Sequence, residues 1–284
     1  MNLDFDTSIF DSQFFQILSK IKKQIKKQNQ QNKTISPNRG ASTDFFIHRP
    51  YLLGDDIRKI DWNIYARFQE WIIKENHQEN HINWWLLWDI SASMQPPKYK
   101  ISAQIIGFFT CMALLQENSV QISMYHQEKL QQSPLFHKTT HIPQALYFLS
   151  WKKPCQSSQN LPQIWSTFLY KKQGNFLLCS DLLDMPKLQT ILQKYIHKNK
   201  TIYITHIQEL SSIPCGYYAL QDIETKKIQN IHITKKIQDK YQQQIQNIQK
   251  QWNTWSKNNK IHYIPIQTTN TIEQNIHKIV CNIF

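Results

Sequence analysis

A short segment with one carboxylate and two hydroxyls, Asp89-Ile90-Ser91-Ala92-Ser93, follows an apolar run that ends at Trp88. In an extended turn alternate residues project the same way, so the side chains of Asp89, Ser91 and Ser93 converge on one point. All three are hard oxygen donors, and Mg²⁺ takes six oxygen ligands while it keeps several waters. The segment therefore predicts a magnesium site, although an Asp followed by Ser is also common at helix N-caps.

Two residues further along the chain could complete such a site. Asp181 follows the apolar run Asn175–Cys179 and offers a second carboxylate, and Thr140 offers a hydroxyl. For Thr140 a helix cap before Pro143 is the alternative interpretation. Two carboxylates nearly neutralise a divalent cation and leave a coordination position for the carboxylate of a ligand.

The elements that position these residues follow from the hydrophobic pattern. Short apolar runs predict parallel strands at Ile82–Trp88, Val120–Tyr125, Asn175–Cys179, Thr201–His206 and Ile261–Ile266. Helical segments separate them, which implies an open, mostly parallel α/β sheet. Because ligand sites in such sheets lie at the carboxyl ends of the strands, Asp89 and Asp181 are expected at one edge.

Three other segments are predicted from their patterns. Residues 11 to 28 have helical spacing, the run Gln28–Ala41 is a loop, and Gly216–Thr234 is a turn-rich antiparallel excursion. A helix-spaced apolar stripe predicts a core-facing side on the helix that carries it. Its members are Ile237, Tyr241, Ile245, Ile248, Trp252 and Trp255.

Two groups of residues resemble known families. The pattern Asp89-x-Ser91-x-Ser93, followed by Thr140 and Asp181, resembles the metal-ion-dependent adhesion site of von Willebrand factor A domains. Upstream, the run RPYLLGDDIRKIDW, with the later pairs Ala66-Arg67 and Lys74-Glu75, resembles the signature of the MoxR-associated A-like family, domain of unknown function 58. That run spans Arg49–Trp62, and the element LQDIET at Leu220–Thr225 resembles the same family's L-x-D-x-E-T motif.

The resemblance implies a fold, a partner and a cofactor. The fold is von Willebrand factor A-like (Rossmann-like), with helices flanking a mostly parallel sheet. The partner is a MoxR-type AAA+ ATPase or its client, in the assembly or maturation of other proteins. The cofactor is Mg²⁺ or another divalent cation, with Asp89 and Asp181 bound partly through water. Its ligands would be Asp89, Ser91, Ser93, Thr140 and Asp181.

The same resemblance divides the chain into three parts. Residues 1–39 form an N-terminal helix and linker, and residues 40–80 hold the signature segment packed on the core. Residues 81–284 form the A-like domain, with an antiparallel insertion at about 208–236.

The signature segment has two interpretations, which the sequence leaves open. In the structural one, Arg49, Arg58 and Arg67 pair with the carboxylates of Asp55, Asp56 and Asp61, because Arg binds carboxylates bidentately. Gly54 then serves a tight turn, while Tyr51 and Trp62 anchor the segment on the core. In the other interpretation the segment is a docking surface for a partner.

Charge and motifs narrow the class of function. Lys and Arg outnumber Asp and Glu by 33 to 20, a net charge of +13 that favours acidic partners and keeps nucleic-acid binding as the alternative function. The 5 glycines form no phosphate-binding loop, and neither Ser91 nor Ser180 lies in a G-x-S-x-G motif. The 5 cysteines lack metal-ligand spacing, so zinc and disulfides are not expected.

Localisation follows from two expected absences. No run of 18 apolar residues predicts a membrane span, and the start at Met1 lacks a secretory leader, so a cytoplasmic protein is expected.

The candidate metal site and the family resemblance together imply a function. They predict a non-enzymatic protein-interaction module that docks an acidic side chain through a bound metal.

Overall fold

The structure is a computed structural model that describes residues 9–33, 46–52, 54–76, 81–126, 129–150, 161–170, 172–182, 185–196, 200–209, 214–222 and 227–283. Its helices are α1 (Ser12–Lys33), α2 (Trp62–Phe68), α3 (Lys98–Leu115), α4 (Ile142–Ser150), α5 (Leu161–Leu169), α6 (Met185–Gln193), α7 (Lys235–Asn258) and α8 (Ile272–Ile283). Its strands are β1 (Phe46–Pro50), β2 (Ile72–Asn76), β3 (Asn83–Trp88), β4 (Ser119–His126), β5 (Lys129–Gln132), β6 (Gly174–Ser180), β7 (Lys200–Gln208), β8 (Gly216–Gln221), β9 (Ile228–Ile233) and β10 (His262–Gln267).

The chain forms two compact units. One consists of Met1–Lys23 together with Ile82–Phe284, and the other is Gln24–His81. The second unit contains the antiparallel hairpin of β1 and β2, and α2 lies between these two strands in the sequence.

The large unit is built on a six-stranded sheet with the order β10-β7-β6-β3-β4-β5. All neighbouring strands are parallel except β5, which runs antiparallel to β4. The α/β class and the mostly parallel sheet predicted from the sequence are therefore confirmed. The short edge strand β5 was not predicted. The antiparallel excursion is the hairpin of β8 and β9.

Alternate residues of β3 face opposite sides of the sheet, and both sides are covered. On one side Trp88 stacks on Tyr99 of α3 at 5.0 Å between ring centroids, and its indole Nε1 donates to Ser102 Oγ at 2.9 Å. On the other side Leu87 belongs to a buried cluster that includes Trp165 of α5 and residues of α6 and α7. Burial on both faces explains why the strand is almost wholly apolar.

One predicted boundary differs from the structure. Helix α1 runs to Lys33, so residues 28–33, predicted as part of a loop, are helical, and residues 34–45 lie outside the described part. The run of Gln and Lys that suggested a loop is compatible with a helix because both residues have good helix propensity.

Within the described ranges, none of the helices has the length and apolar character needed to cross a membrane.

Candidate functional site

Asp89 lies at the carboxyl end of β3, in the middle of the sheet. Trp88 pairs with Cys179 in β6, so Asp89 is level with Ser180 on the neighbouring strand. The carboxylate of Asp89 accepts hydrogen bonds from the hydroxyl of Ser180 at 2.6 Å and from the backbone N–H of Ser91 at 2.9 Å. The side chain is 4% exposed, so these bonds are what holds it in place.

The local geometry of Asp89 is an Asx turn rather than a helix cap. Its Oδ1 accepts from the residue two positions on, which is the Asx-turn pattern. Helix α3 begins only at Lys98, and the residue at its N-cap position is Pro97, which makes no side-chain cap bond. The alternative that Asp89 caps the following helix is therefore wrong.

Ser91 and Ser93 project from this turn together. Their Oγ atoms are 3.0 Å apart, and Ser91 is buried whereas Ser93 is half-buried. The Ser91 hydroxyl also lies close enough to Asp89 to stabilise its carboxylate. One carboxylate and two hydroxyls thus form a continuous chain of oxygen atoms at the end of β3.

Asp181 brings a second carboxylate to the same edge. It follows Ser180 directly at the end of β6 and is 8% exposed. Burial, and then the negative charge of Asp181, raise the pKa of Asp89. A positive charge nearby would offset the cost of burying two carboxylates.

That charge comes from Lys98, a residue that the sequence did not single out. Its Nζ donates to Asp181 Oδ2 at 3.0 Å, and the two side chains are only 16% and 7% exposed. Lys98 is the first residue of α3, so the loop that carries Ser91 and Ser93 leads directly to it. A lone Lys after a Pro-Pro pair carries no recognisable motif, which is why sequence reasoning missed it.

His206 is a second residue of the site that sequence reasoning missed. It lies next to Ser180 across the β6–β7 pair and is 5% exposed, and the charge of Asp181 acts on its imidazole. Its Nδ1 is 2.7 Å from the hydroxyl of Tyr263 in β10. Burial lowers the pKa of His206 to about 4, so the imidazole is neutral at pH 7.

Thr140 lies on a short 3₁₀ turn, Thr139–His141, and its side chain is exposed. In the described part of the chain, no hydrogen bond joins it to any of the other four predicted ligands. The structure thus brings four of the five predicted side chains to the strand ends, and Thr140 stays a prediction.

The donor set at the strand ends has the chemistry of a site for a hard cation. It consists of two carboxylates and two hydroxyls, which are the ligands that Mg²⁺ prefers. Adjacent ligands of an octahedral Mg²⁺ are about 2.9 Å apart when each lies about 2.05 Å from the metal, close to the distance between Ser91 Oγ and Ser93 Oγ. No cluster of three or more His, Cys, Asp or Glu side chains that could hold a metal ion occurs in the described ranges.

The signature segment forms one of the predicted ion pairs. Arg49 binds Asp55 bidentately, at 2.6 and 2.8 Å, and Asp55 also accepts from the backbone N–H of Leu52 at 2.8 Å. These two contacts, the one with Arg49 first, lower the pKa of Asp55 to about 2. Gly54 has a φ of +108° between these residues, as expected for the tight turn.

The other two carboxylates of the segment accept hydrogen bonds from the backbone. Asp56 accepts from the backbone N–H of Arg58 at the start of a 3₁₀ turn, and Asp61 caps α2 by accepting from the N–H groups of Asn63 and Ile64. Carboxylates in these positions satisfy backbone donors that a helix start leaves free. The side chains of Arg58 and Arg67 are exposed, and no ion pair engages either one among the described residues.

The aromatic residues of this segment pack on one another. Tyr51 contacts Trp71, and Trp62 contacts both Tyr65 and Trp71, with ring centroids 5.9 to 6.4 Å apart. Trp62 keeps 53% of its surface exposed, so its contacts within the segment leave half of its side chain open to solvent. Of the later LQDIET motif, residues 223–225 lie outside the described part, as do Leu53 and residues 77–80.

The fold and the site define a mixed α/β protein with a polar centre where two adjacent parallel strands end. The family described as "Protein of unknown function DUF58" matches residues 48–251, a range that includes the site and the signature segment. The chain belongs to this family.

Comparison with solved structures gives a distant likeness. One similar chain is the von Willebrand factor type A protein from Catenulispora acidiphila, with 14% sequence identity and a TM-score of 0.35. The match covers 48% of this chain and 35% of that one, so this chain spans about a third of that protein's length. No curated protein matches the sequence.

Proposed function

We propose that this protein is a non-enzymatic protein-interaction module whose strand-end site holds Mg²⁺ or another divalent cation. Asp89, Ser91, Ser93 and Asp181 are the proposed ligands, with Thr140 as a further one supplied by the neighbouring surface. The metal would supply a coordination position that an acidic side chain of a partner completes. The observation that carries the proposal is the convergence of two buried carboxylates and a pair of hydroxyls 3.0 Å apart.

The chemistry of the site favours binding over catalysis. A serine nucleophile must be accessible to its substrate, whereas Ser180 is fully buried and its hydroxyl donates to Asp89. A carboxylate acceptor already in place holds the Ser180 hydroxyl as a structural donor. The polar groups are therefore arranged to hold charge rather than to activate a hydroxyl.

Family membership supports the choice of partner. The resemblance of the signature segment to the MoxR-associated A-like family points to a MoxR-type AAA+ ATPase, or to the client of such an enzyme. The net charge of +13 also suits an acidic surface on that partner.

Thermal unfolding with and without Mg²⁺ tests the metal site. A ligand at ten times its Kd stabilises the native state by about 1.4 kcal/mol, which raises the Tm of a chain of this size by about 3 °C. We expect that shift for the wild type and none for Asp89→Asn, which keeps the shape of the side chain but removes its charge.

Asp239→Asn is the matched control, because Asp239 is an exposed carboxylate on α7. It should respond to Mg²⁺ as the wild type does. Equal shifts in Asp89→Asn and the wild type would place the metal elsewhere and overturn the proposal.

A further inference from the structure

The ion pair of Lys98 with Asp181 lies inside the proposed metal site. Its side chains are 16% and 7% exposed, compared with 45% and 37% for the Lys100–Asp11 pair two residues along the same helix. Charged side chains are seldom buried to this degree unless they are paired, because each loses its hydration. Lys98 is therefore a built part of the strand-end site rather than a surface lysine that rests on it.

The two carboxylates of the site have different partners, and Lys98 is the partner of one of them. Asp89 receives hydrogen bonds from Ser180 and Ser91, and Asp181 receives the ammonium of Lys98. Lys98 and Asp181 also act on His206 with opposite signs, the ammonium lowering and the carboxylate raising its pKa. Thus the site carries its own cation, and the pair of carboxylates is partly neutralised by the protein itself.

A divalent cation and this ammonium compete for Asp181. Two positive charges bound to one carboxylate would lie within a few ångströms of each other in a buried setting, where Coulomb repulsion is weakly screened. Lys98 is the residue that has to move, since its side chain has four rotatable methylene groups and retains some exposure.

We propose that Lys98 is the resident counter-ion of the site and that a divalent cation binds to Asp181 only by displacing it. This inference rests on the proposed metal site and adds its regulation. The metal-free form is held together by the ammonium, and metal affinity is reduced by the work of breaking the Lys98–Asp181 pair. A partner that offers a carboxylate to the metal would then also meet a released ammonium beside it.

Calorimetric titration of the full chain with MgCl₂ tests the exchange. Lys98→Met keeps the length of the side chain and removes the competitor, so we expect Mg²⁺ to bind at least tenfold more tightly than to the wild type. Metal-free Lys98→Met should melt at a lower temperature, because Asp181 then lacks its partner. Lys100→Met, which removes the same charge from the same helix, should change neither quantity.

Every outcome of the titration decides between the two proposals. Equal or weaker Mg²⁺ affinity in Lys98→Met would overturn the counter-ion role and leave the metal site standing. Binding to Lys98→Met but not to the wild type would establish the counter-ion and overturn the metal-dependent function of the natural chain. Absence of binding to both would overturn both.

A measurement on the wild type covers the case in which Lys98→Met fails to fold. With ¹⁵N-labelled lysine, the Nζ signal of Lys98 is assigned through Lys98→Arg, which keeps the charge and the ion pair. We expect saturation with Mg²⁺ to shift this signal while that of Lys100 stays in place. An unchanged Lys98 signal in the Mg²⁺-saturated protein would show that the ammonium is not displaced.

Discussion

At the scale of single residues, the strand-end site depends on His206 as well as on the carboxylates. This residue pairs with Ser180 across the β6–β7 register, and its Nδ1 is 2.7 Å from the Tyr263 hydroxyl in β10. It thus lies between β6 and β10 at the end where the proposed ligands lie.

The depressed pKa of His206 makes a stability prediction with a definite sign. The pKa falls from an ordinary value of 6.5 to about 4 in the folded protein, so between these pH values the unfolded state binds the extra proton. Stability therefore rises with pH over this window. The contribution of the neutral His206 imidazole to the free energy of unfolding is complete above pH 6.5 and lost below about pH 4. A shift of this size corresponds to about 3 kcal/mol.

Urea unfolding at pH 7, 5.5 and 4.5 measures this contribution. His206→Gln removes the titrating group, so we expect its stability to vary less with pH than that of the wild type. His277→Gln, at an exposed position on α8, is the control and should keep the wild-type profile. Parallel profiles for the wild type and His206→Gln would contradict a buried neutral imidazole. Asp89 acts with the opposite sign because its pKa is raised, and comparing variants removes that contribution.

The residue-level site was only partly predictable. Asp89, Ser91, Ser93 and Asp181 were found because each follows an apolar strand, and parallel strands end at one edge of the sheet. Lys98 and His206 were not predicted, because their roles depend on neighbours that are distant in the sequence. Nothing in the local sequence of either residue indicates that Asp181 lies beside it.

At the scale of elements, the parallel strands were predictable because each is a short apolar run buried on both faces. The hairpin of β1 and β2 was not, since its strands lie more than twenty residues apart and mix charged with apolar side chains. Register between distant strands is a tertiary property that local patterns do not contain.

In helix α7, apolar residues with helical spacing are not all buried. Of its apolar stripe, Trp252 is buried, while Ile237, Tyr241 and Ile248 are 44%, 51% and 41% exposed. The prediction of a core-facing stripe is thus wrong for Ile237, Tyr241 and Ile248. A helix of 24 residues is about 36 Å long, whereas the adjacent six-residue strand β10 spans about 20 Å. The helix is longer than the sheet that could cover it.

Substitution of two arginines of the signature segment, Arg49 and Arg58, tests what stabilises the turn before α2. Arg49 is bonded bidentately to Asp55, whereas Arg58 is exposed. We expect Arg49→Ala to destabilise this segment by about 1 kcal/mol, the upper range for a partly exposed pair. Arg58→Ala should stay within about 0.5 kcal/mol of the wild type.

Hydrogen exchange read by mass spectrometry over residues 49–76 checks this difference. A loss of 1 kcal/mol makes local opening about fivefold more frequent, so exchange should be about fivefold faster in Arg49→Ala. Equal exchange in the two variants would show that the Arg49–Asp55 pair does not hold the turn. Loss of partner binding in Arg58→Ala, with unchanged exchange, would favour the docking interpretation of the segment.

At the scale of the whole molecule, the positive charge and the strand-end site are separate features. Exposed lysines lie along α7, among them Lys235, Lys236 and Lys240. The site, in contrast, is a buried cluster of neutral hydroxyls and partly compensated carboxylates. Under the proposed function, binding through the lysines depends on ionic strength, whereas binding through the strand-end site depends on the metal.

Two treatments of the same binding experiment separate these modes. We expect retention of a purified MoxR-type ATPase on the immobilised chain to be lost with EDTA and to change little between 50 and 200 mM KCl. A labelled DNA duplex should behave in the opposite way. If six or more phosphates are contacted, its affinity falls by a factor of about 10³ over that range, and EDTA has no effect.

Substitution of Lys235, Lys236 and Lys240 by Gln tests whether the lysines of α7 serve DNA binding but not ATPase binding. The triple variant should weaken DNA binding and reduce its dependence on salt, because each lysine that contacts a phosphate releases about one counter-ion. Metal-dependent ATPase retention should persist, since these lysines lie on α7 and the proposed ligands at the strand ends. ATPase binding that survives EDTA but falls with salt and with the lysine substitutions would mean that the charge, and not the strand-end site, recognises the partner.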